Sequence, residues 1–574
     1  MPFKLNRSKA VSIAVLLVVL AGCLAYVNTL PGEWVWDDVS SVLLHKHVQD
    51  PYQLPRLFLE DQHAFGRGQG NFYRPLVSTT FLIDYQLAGG PAPEEGLTSS
   101  AMAVSPFVFH LSNMAWHIAA ALSLLGLLYA LGVPVFVFLA VPLIFVLHPL
   151  HTEAVAYISG RADMMSATGV FAALWCVVLY QKNTYKKRYL FYSVFCFVGA
   201  LLSKESSLIY PVLLAPFLFY LVRQEKVEEE KERTQPFAPY YPLFSAILVL
   251  LLYIVLRSTV LNFATAAAGT VSPFSQRLYE TVQSLGIYLK LLFAPFSLHM
   301  ERTLVHASFW DALAGTVFLC LLLAIVVFAL VRKKTRVALG AVWFLLCWLP
   351  ISGIFPLNAP LAEHWMYVPM AGFWWCLAEI LSSLVCSRRI WPIAWAVLFL
   401  FCVYLGNLTV QRNLDWSSNE RLFLATLRQN PNSARVHYNL AVTYSDLLHN
   451  DVAAKRHYEI FLSLRNKERQ ADPERAGLII DDEIDARIAL GRCLMQLSSF
   501  DDALATYLPM VALSEVESLR PTAAMAALRS AQCFLALGEI AQANNYFQQA
   551  ITLEPLYTAE VEAILGGDAI FNLY

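Results

Sequence analysis

Eleven apolar runs, most of them near 20 residues long, interrupt the first 410 residues of this 574-residue chain, and a water-soluble core cannot bury that much hydrocarbon. They fall at about 11 to 30, 106 to 130, 133 to 149, 164 to 181, 188 to 203, 207 to 222, 240 to 262, 311 to 331, 337 to 354, 365 to 385 and 391 to 410. A hydrophobic share of 57% and a mean hydropathy of +0.51 place the chain outside the range of soluble domains. The predicted fold is therefore all-α, a polytopic membrane region of about 11 transmembrane helices. The net charge of −2 points to no nucleic-acid partner.

Basic residues then set the orientation. They collect before the first run (Lys4, Arg7, Lys9), after the fourth (Lys182, Lys186, Lys187, Arg188), after the sixth (Arg223, Lys226, Lys231, Arg233), after the eighth (Arg332, Lys333, Lys334, Arg336) and after the tenth (Arg388, Arg389). These loops share one parity, so they are expected in the cytoplasm together with the N-terminus. The long segment 31 to 105, the loops near 150 to 163, 203 to 206, 263 to 310 and 352 to 364, and everything after 410 are then external. Cys176, Cys196, Cys320, Cys347, Cys376 and Cys402 lie inside apolar runs and read as small core hydrophobes. Leu20-Ala21-Gly22-Cys23 resembles a lipoprotein cleavage site, an alternative that leaves the remaining topology unchanged.

Beyond Arg412 the composition turns polar and amphipathic, and the chain repeats itself. Gly491, Leu494, Ala503, Tyr507 and Met510 recur as Ala531, Phe534, Ala543, Phe547 and Ala550, with an earlier copy from Asn439 to Phe461. These are the spacings of tetratricopeptide helix pairs, in which small residues admit the aromatic of the partner helix. The predicted division is a membrane domain over 1 to 415 and a repeat solenoid over 416 to 574, with repeats near 432 to 465, 482 to 515 and 522 to 556. Such a solenoid offers a groove to extended peptides.

The external loops hold the candidate chemistry. Asp37 and Asp38 follow Trp34 and Trp36 at the end of the first run; one carboxylate can take a proton from a hydroxyl while the other supports it, the bland alternative being a solvated turn. His148, His151 and Glu153 form a second cluster, open to metal ligation, substrate binding or buried packing, with Pro149 breaking the helix between the imidazoles. His110 and His117 read as interhelical hydrogen-bond partners. The scarce external cations Arg161, Lys204 and Arg257 can converge on a lipid phosphate, or snorkel and pair with Asp163 and Glu205. Glu363 and His364 add to the same rim. No Gly-rich phosphate loop is present in the sequence.

Taken in order, Trp36-Asp37-Asp38, Phe72-Tyr73-Arg74-Pro75-Leu76, Phe109-His110-Leu111-Ser112-Asn113, His148 to Val155, Gly160-Arg161-Ala162-Asp163, Ala362-Glu363-His364 with Tyr367-Val368-Pro369, and Arg412-Asn413-Leu414-Asp415-Trp416 resemble the transmembrane and tetratricopeptide-repeat O-mannosyltransferase family and its bacterial relatives, within the GT-C glycosyltransferase superfamily. The resemblance covers residues 1 to about 420, and the repeats follow where the family has them. Two departures stand out: His364 occupies a position expected to be arginine, and three repeats make a short array.

The resemblance implies an inverting transfer of a sugar, mannose in the characterised branch, from a polyprenyl- or dolichyl-phosphate carrier to serine or threonine hydroxyls of exported proteins. Asp37 would be the base and Asp38 its support. Arg161, Lys204, Arg257 and Arg74 would hold the donor phosphate, and His148, His151, Glu153, Asp163, Glu205, Glu363 and His364 would line the substrate site. No cofactor is firmly implied; a divalent cation is admitted, with His148, His151 and Glu153 its candidate ligands. The solenoid would capture acceptor proteins. A transferase acting on a lipid or glycan, and a non-catalytic repeat adaptor, are the alternative functions. The lone Asn-x-Ser/Thr triplet, Asn407-Leu408-Thr409, lies inside the last run, and no retention tail follows Asn572-Leu573-Tyr574. A bacterial inner membrane with periplasmic repeats is therefore expected, the endoplasmic reticulum with lumenal repeats being the alternative.

Overall fold

Every apolar run condenses into a helix, because a backbone in hydrocarbon must satisfy its own N–H and C=O groups. A computed structural model describes residues 7–65, 71–92, 102–228, 237–261, 273–357, 359–385, 389–471 and 480–566. Lys4, Lys231, Arg233, Arg388 and the stretch Asn572-Leu573-Tyr574 lie outside the described residues. All regular structure among the described residues is helical, and the chain divides into two units, Met1–Ser418 and Asn419–Tyr574.

In the first unit the longer helices are α1 (Arg7–Tyr26), α2 (Pro75–Leu87), α3 (Phe107–Ala130), α4 (Val135–Leu147), α5 (Arg161–Lys182), α6 (Lys187–Leu201), α7 (Tyr210–Glu228), α8 (Tyr241–Thr259), α9 (Phe274–Phe293), α10 (Phe309–Val331), α11 (Thr335–Trp348), α12 (Pro369–Leu384) and α13 (Trp391–Asp415). Among the described residues seven segments, built on α1, α3, α5, α7, α8, α10 and α13, are long and apolar enough to cross a membrane. An eighth forms if α4 and the turn Pro149–Ala156, bent by 50° at the break before Pro149, count together. By length and composition these account for seven or eight of the about eleven transmembrane helices expected. Helices α6, α11 and α12 stand where runs were read, but at 15, 14 and 16 residues they fall short of the roughly 20 that a straight crossing takes.

A revision concerns the stretch 263 to 310, expected as a loop. It contains the 20-residue α9, whose Arg277, Glu280 and Lys290 lower its apolarity enough to hide it from hydropathy. Helix α9 lies against α10 at Gly286 and Gly315, where any Cβ would collide with the facing backbone. The outer faces of α10 and α13 expose Val317, Leu321, Val327, Val397, Leu400 and Val403, as lipid-facing surface should.

The two ends of the bundle differ in chemistry. At one end Arg7 donates to the carbonyls of Tyr129 and Val133 (3.2 and 3.1 Å), while Arg336 donates to the Leu131 carbonyl and the Tyr220 hydroxyl (3.3 and 3.0 Å). The other end carries the carboxylates and histidines of the external loops. There the first loop builds its own small core, in which Trp34, Val42, Leu43, Val48 and Leu57 pack with Phe81 and Tyr85 of α2 and with Phe109, Ile158 and Ala162.

The second unit is a series of helices: α14 (Asn419–Gln429), α15 (Ala434–Val442), α16 (Asp451–Ala471), α17 (Ile480–Gln496), α18 (Phe500–Val511), α19 (Arg520–Ala536), α20 (Ile540–Leu553) and α21 (Thr558–Gly566). Neighbours in sequence are neighbours in space. Gly491 of α17 leaves room for the Tyr507 ring of α18, and Ala531, Ala543, Phe547 and Ala550 are buried between α19 and α20.

Candidate active site

The acidic pair follows a strained backbone position. Trp36 has φ +55°, a left-handed backbone that costs a bulky residue on the order of 1–3 kcal/mol. Its ring is held by stacking on Tyr157 (5.6 Å), which in turn stacks on Trp416 (5.4 Å). The turn sends the two carboxylates into unlike surroundings. Asp38 is fully buried: one oxygen accepts from the Ser159 N–H and hydroxyl, both at 2.8 Å, and the other from the Val35 N–H at 3.1 Å. Burial pushes the Asp38 carboxyl up to about 7, these donors opposing the rise and the neighbouring Asp37 adding to it. Asp37 is half-buried and meets the Tyr157 phenol.

Arg161, expected to face a lipid phosphate, does not. It is sealed in the bundle, paired with Asp84 at 2.6 Å and donating to Asn113 Oδ1 (2.6 Å), the Thr80 hydroxyl (3.0 Å) and the Phe109 carbonyl (3.0 Å). With that many donors committed and the Phe81 ring 4.6 Å from its guanidinium, Arg161 ties α2, α3 and α5 together. Lys204 differs. Its ammonium pairs with Asp163 at 2.6 Å, and both line a cavity of about 110 Å³ with Ser166, Ser207, Trp365 and Tyr367. Arg74 pairs with Glu205 at 3.2 Å and Glu205 also accepts from the Tyr73 N–H at 3.1 Å. Arg257 donates to the Asn71 carbonyl and side chain (2.9 and 2.6 Å) and to the Leu261 carbonyl.

The imidazoles are structural. His148 donates from Nε2 to the Leu292 carbonyl (3.1 Å) while Nδ1 accepts from the Leu150 N–H (3.3 Å). His151 is fully buried, bonded through Nδ1 to the Phe145 carbonyl at 2.8 Å and packed 4.2 Å from the Tyr367 ring. His117 bridges helices through the Tyr367 hydroxyl (2.6 Å), and His110 packs under Gly32. His148 is bonded to backbone through both nitrogens, whereas His151 is bonded through Nδ1 alone and its buried Nε2 has no hydrogen-bond partner among the described residues. Glu153 pairs with His364 at 2.8 Å, and among the described residues no ready-made group of three metal ligands stands anywhere. Glu363 is buried between Arg302 (2.8 Å) and Arg412 (3.5 Å).

Sequence reasoning missed Asp84, Ser159 and Arg302, and quoted Asn113 within a motif without assigning it a role. Asp84 left a signal, an acid flanked by Leu82, Ile83 and Tyr85; Ser159 left none. Residues from loops far apart in the chain nonetheless meet at one end of the bundle, as the ties of Asp38 to Ser159, Asp163 to Lys204, Arg74 to Glu205 and Glu153 to His364 demonstrate.

Fold and site define a multi-pass helical membrane protein in which polar side chains from distant loops form buried pairs. Comparison with characterised sequences finds it similar, over most of its length, to proteins named O-mannosyl-transferases of the TMTC type. It is 25% identical to "Protein O-mannosyl-transferase TMTC3" of Mus musculus over 592 residues, covering 95% of this chain and 60% of the relative. The Homo sapiens protein of the same name is 24% identical with the same coverage, and "Protein O-mannosyl-transferase F38B6.6" of Caenorhabditis elegans is 24% identical over 78% of this chain and 62% of that one. The chain spans about three fifths of the length of these relatives. No family model matches it, and no solved structure matches it.

Proposed function

We propose that this chain is a GT-C type glycosyltransferase that moves a sugar, mannose as in the names of its relatives, from a polyprenyl-phosphate carrier to serine or threonine hydroxyls of exported proteins, with inversion at the anomeric carbon. The observation that carries the reading is the unequal carboxylate pair. Asp38, buried and held by Ser159 and Val35, fixes the turn; Asp37 stands half-buried beside it with the Tyr157 phenol as its neighbour. In the reaction Asp37 takes the proton of the incoming hydroxyl as its oxygen bonds to the anomeric carbon, and the carbon–oxygen bond to the carrier phosphate breaks on the opposite face.

The phosphate leaves with the bonding electrons, so the site must hold growing negative charge. Lys204 is the cation assigned to it, because it lines a cavity together with the hydroxyls of Ser166 and Ser207 and with Cys347, Pro350 and Ile351, a lining that suits a phosphate joined to hydrocarbon. Arg74 and Arg257 stand behind it, each already bound to a neighbour. The helix pairs of the second unit are read as tetratricopeptide repeats that collect acceptor chains and raise their local concentration. The site end of the bundle is assigned to the exoplasmic side, in a bacterial inner membrane.

The test is transfer from a polyprenyl-phosphate mannose to an acceptor peptide by the purified protein. Asp37→Asn is expected to lower turnover by about 10²–10⁴-fold while the protein stays folded. Unchanged turnover in that variant, or no transfer by the parent protein to any peptide, lipid or glycan acceptor, overturns the reading.

A further inference from the structure

Seven residues beyond Asp38, the first loop carries a cluster that the transfer reaction does not use. His45 follows the turn Val39–Leu43, His47 the next position but one, and Glu60 approaches both from the far side of the loop. His47 Nδ1 lies 2.6 Å from Glu60 Oε2. His45 is 1% exposed, and among the described residues neither of its ring nitrogens makes a hydrogen bond; Glu60 Oε1 has no hydrogen-bond partner either. These two orphaned atoms, His45 Nε2 and Glu60 Oε1, face each other at 3.7 Å.

A buried imidazole with two idle nitrogens is costly, on the order of 1–3 kcal/mol for each unsatisfied group, and a ligand seated against Nε2 would relieve part of that cost. The separation suits one. It is too long for a hydrogen bond, yet close to the roughly 3.4 Å that an imidazole nitrogen and a carboxylate oxygen keep across a tetrahedral ion with bonds near 2.1 Å. His45 is sealed from solvent, with its Nε2 turned toward Glu60. Phe65 packs against both rings, at 4.9 Å from His45 and 5.0 Å from His47, and shields the spot from water. His63 braces the same turn through the Ser41 hydroxyl at 3.3 Å.

We propose that His45, Glu60 and His47 form a binding site for a divalent d-block cation, zinc first among them, seated between His45 Nε2 and Glu60 Oε1. Imidazole and carboxylate are the donors such an ion takes in a mixed site. No three ligating groups among the described residues already surround one point, so the site closes as the short His47–Glu60 contact opens and His47 turns its lone pair to the ion. The bound ion pins the Val39–Leu43 turn, and with it Asp38, to the Glu60 segment. Its role is to brace the loop that carries the acidic pair.

The experiment uses the full-length, tag-free protein in detergent, stripped with a chelator and titrated with Zn²⁺ against a chromophoric competitor, with Co²⁺ as a spectroscopic probe. One equivalent is expected to bind and to produce visible ligand-field bands with Co²⁺. His45→Asn and Glu60→Gln should weaken Zn²⁺ binding by at least about 100-fold, and His47→Asn by about 10–100-fold. His457→Asn, which alters a separate histidine pair in the second unit, should leave it unchanged. Should one variant misfold by circular dichroism, the other two and their Co²⁺ spectra decide. Absence of Zn²⁺ binding below millimolar concentration, or binding that survives all three loop substitutions, overturns the proposal and leaves a water as the partner of His45. Because the readout is metal binding, its failure is separate from any failure of the transferase reading.

Discussion

Two neighbouring aspartates illustrate how far chemistry at one residue depends on its surroundings. Asp38 is buried and its carboxyl is raised to about 7, whereas an exposed unfolded aspartate titrates near 3.9. A raised carboxyl contributes stability that is complete below the unfolded value and lost as pH rises through the folded one. The stability advantage of the parent protein over Asp38→Asn should therefore shrink between about pH 4 and pH 7, as measured by the apparent thermal midpoints of the two proteins in detergent; a difference that stays flat across that range sinks the assignment. The adjacent acids were visible in the sequence. Their division of environment was not, because it rests on Ser159, 121 positions away, and on the left-handed backbone of Trp36. Arg161 carries the same lesson: its charge at a helix start suggested a phosphate partner, and only Asp84 and Asn113 reveal it as a buried strut.

Among the elements, the long apolar helices were legible since twenty consecutive hydrocarbon residues have few other fates in a bilayer. Those that hydropathy misjudged were compromised by composition or length. Helix α9 hid behind Arg277, Glu280 and Lys290, and α6, α11 and α12, read as spans, have helical parts of 15, 14 and 16 residues. The contact of α9 with α10 depends on Gly286 and Gly315, each facing backbone with no space for a Cβ. Gly315→Val is expected to destabilise the protein by about 1–3 kcal/mol, a clear fall in thermal midpoint. Gly199→Ala, where the only neighbour of the added carbon is the Leu76 side chain at 4.0 Å, should leave the midpoint nearly unchanged. Equal effects of the two substitutions would mean that the helices do not approach as closely as described. In the second unit the alternation of small and aromatic residues corresponds to real contacts, Gly491 against Tyr507 among them.

At the scale of the whole molecule, one end of the membrane unit holds Arg7 and Arg336 and the other holds Asp37, Asp163 and Glu363. Cysteine labelling with a membrane-impermeant reagent should reach positions beside Asp37 and Glu363 from one side of the membrane and positions beside Arg7 and Arg336 from the other. Labelling of both groups from the same side contradicts the arrangement. Removal of residues 432 to 574 should impair transfer to a folded protein acceptor far more than transfer to a short peptide, and an equal loss for both would argue against acceptor capture by the second unit. Hydropathy and charge spacing determined by themselves that the chain is helical, crosses a membrane several times and gathers its acids and imidazoles in alternate loops, because transfer of hydrocarbon and cations between water and lipid is a local, additive cost. Which of those polar groups face a cavity and which are sealed as struts was decided only by tertiary structure. Burial, pairing and the aim of a side chain depend on partners contributed by distant helices, and no local property of the chain encodes them.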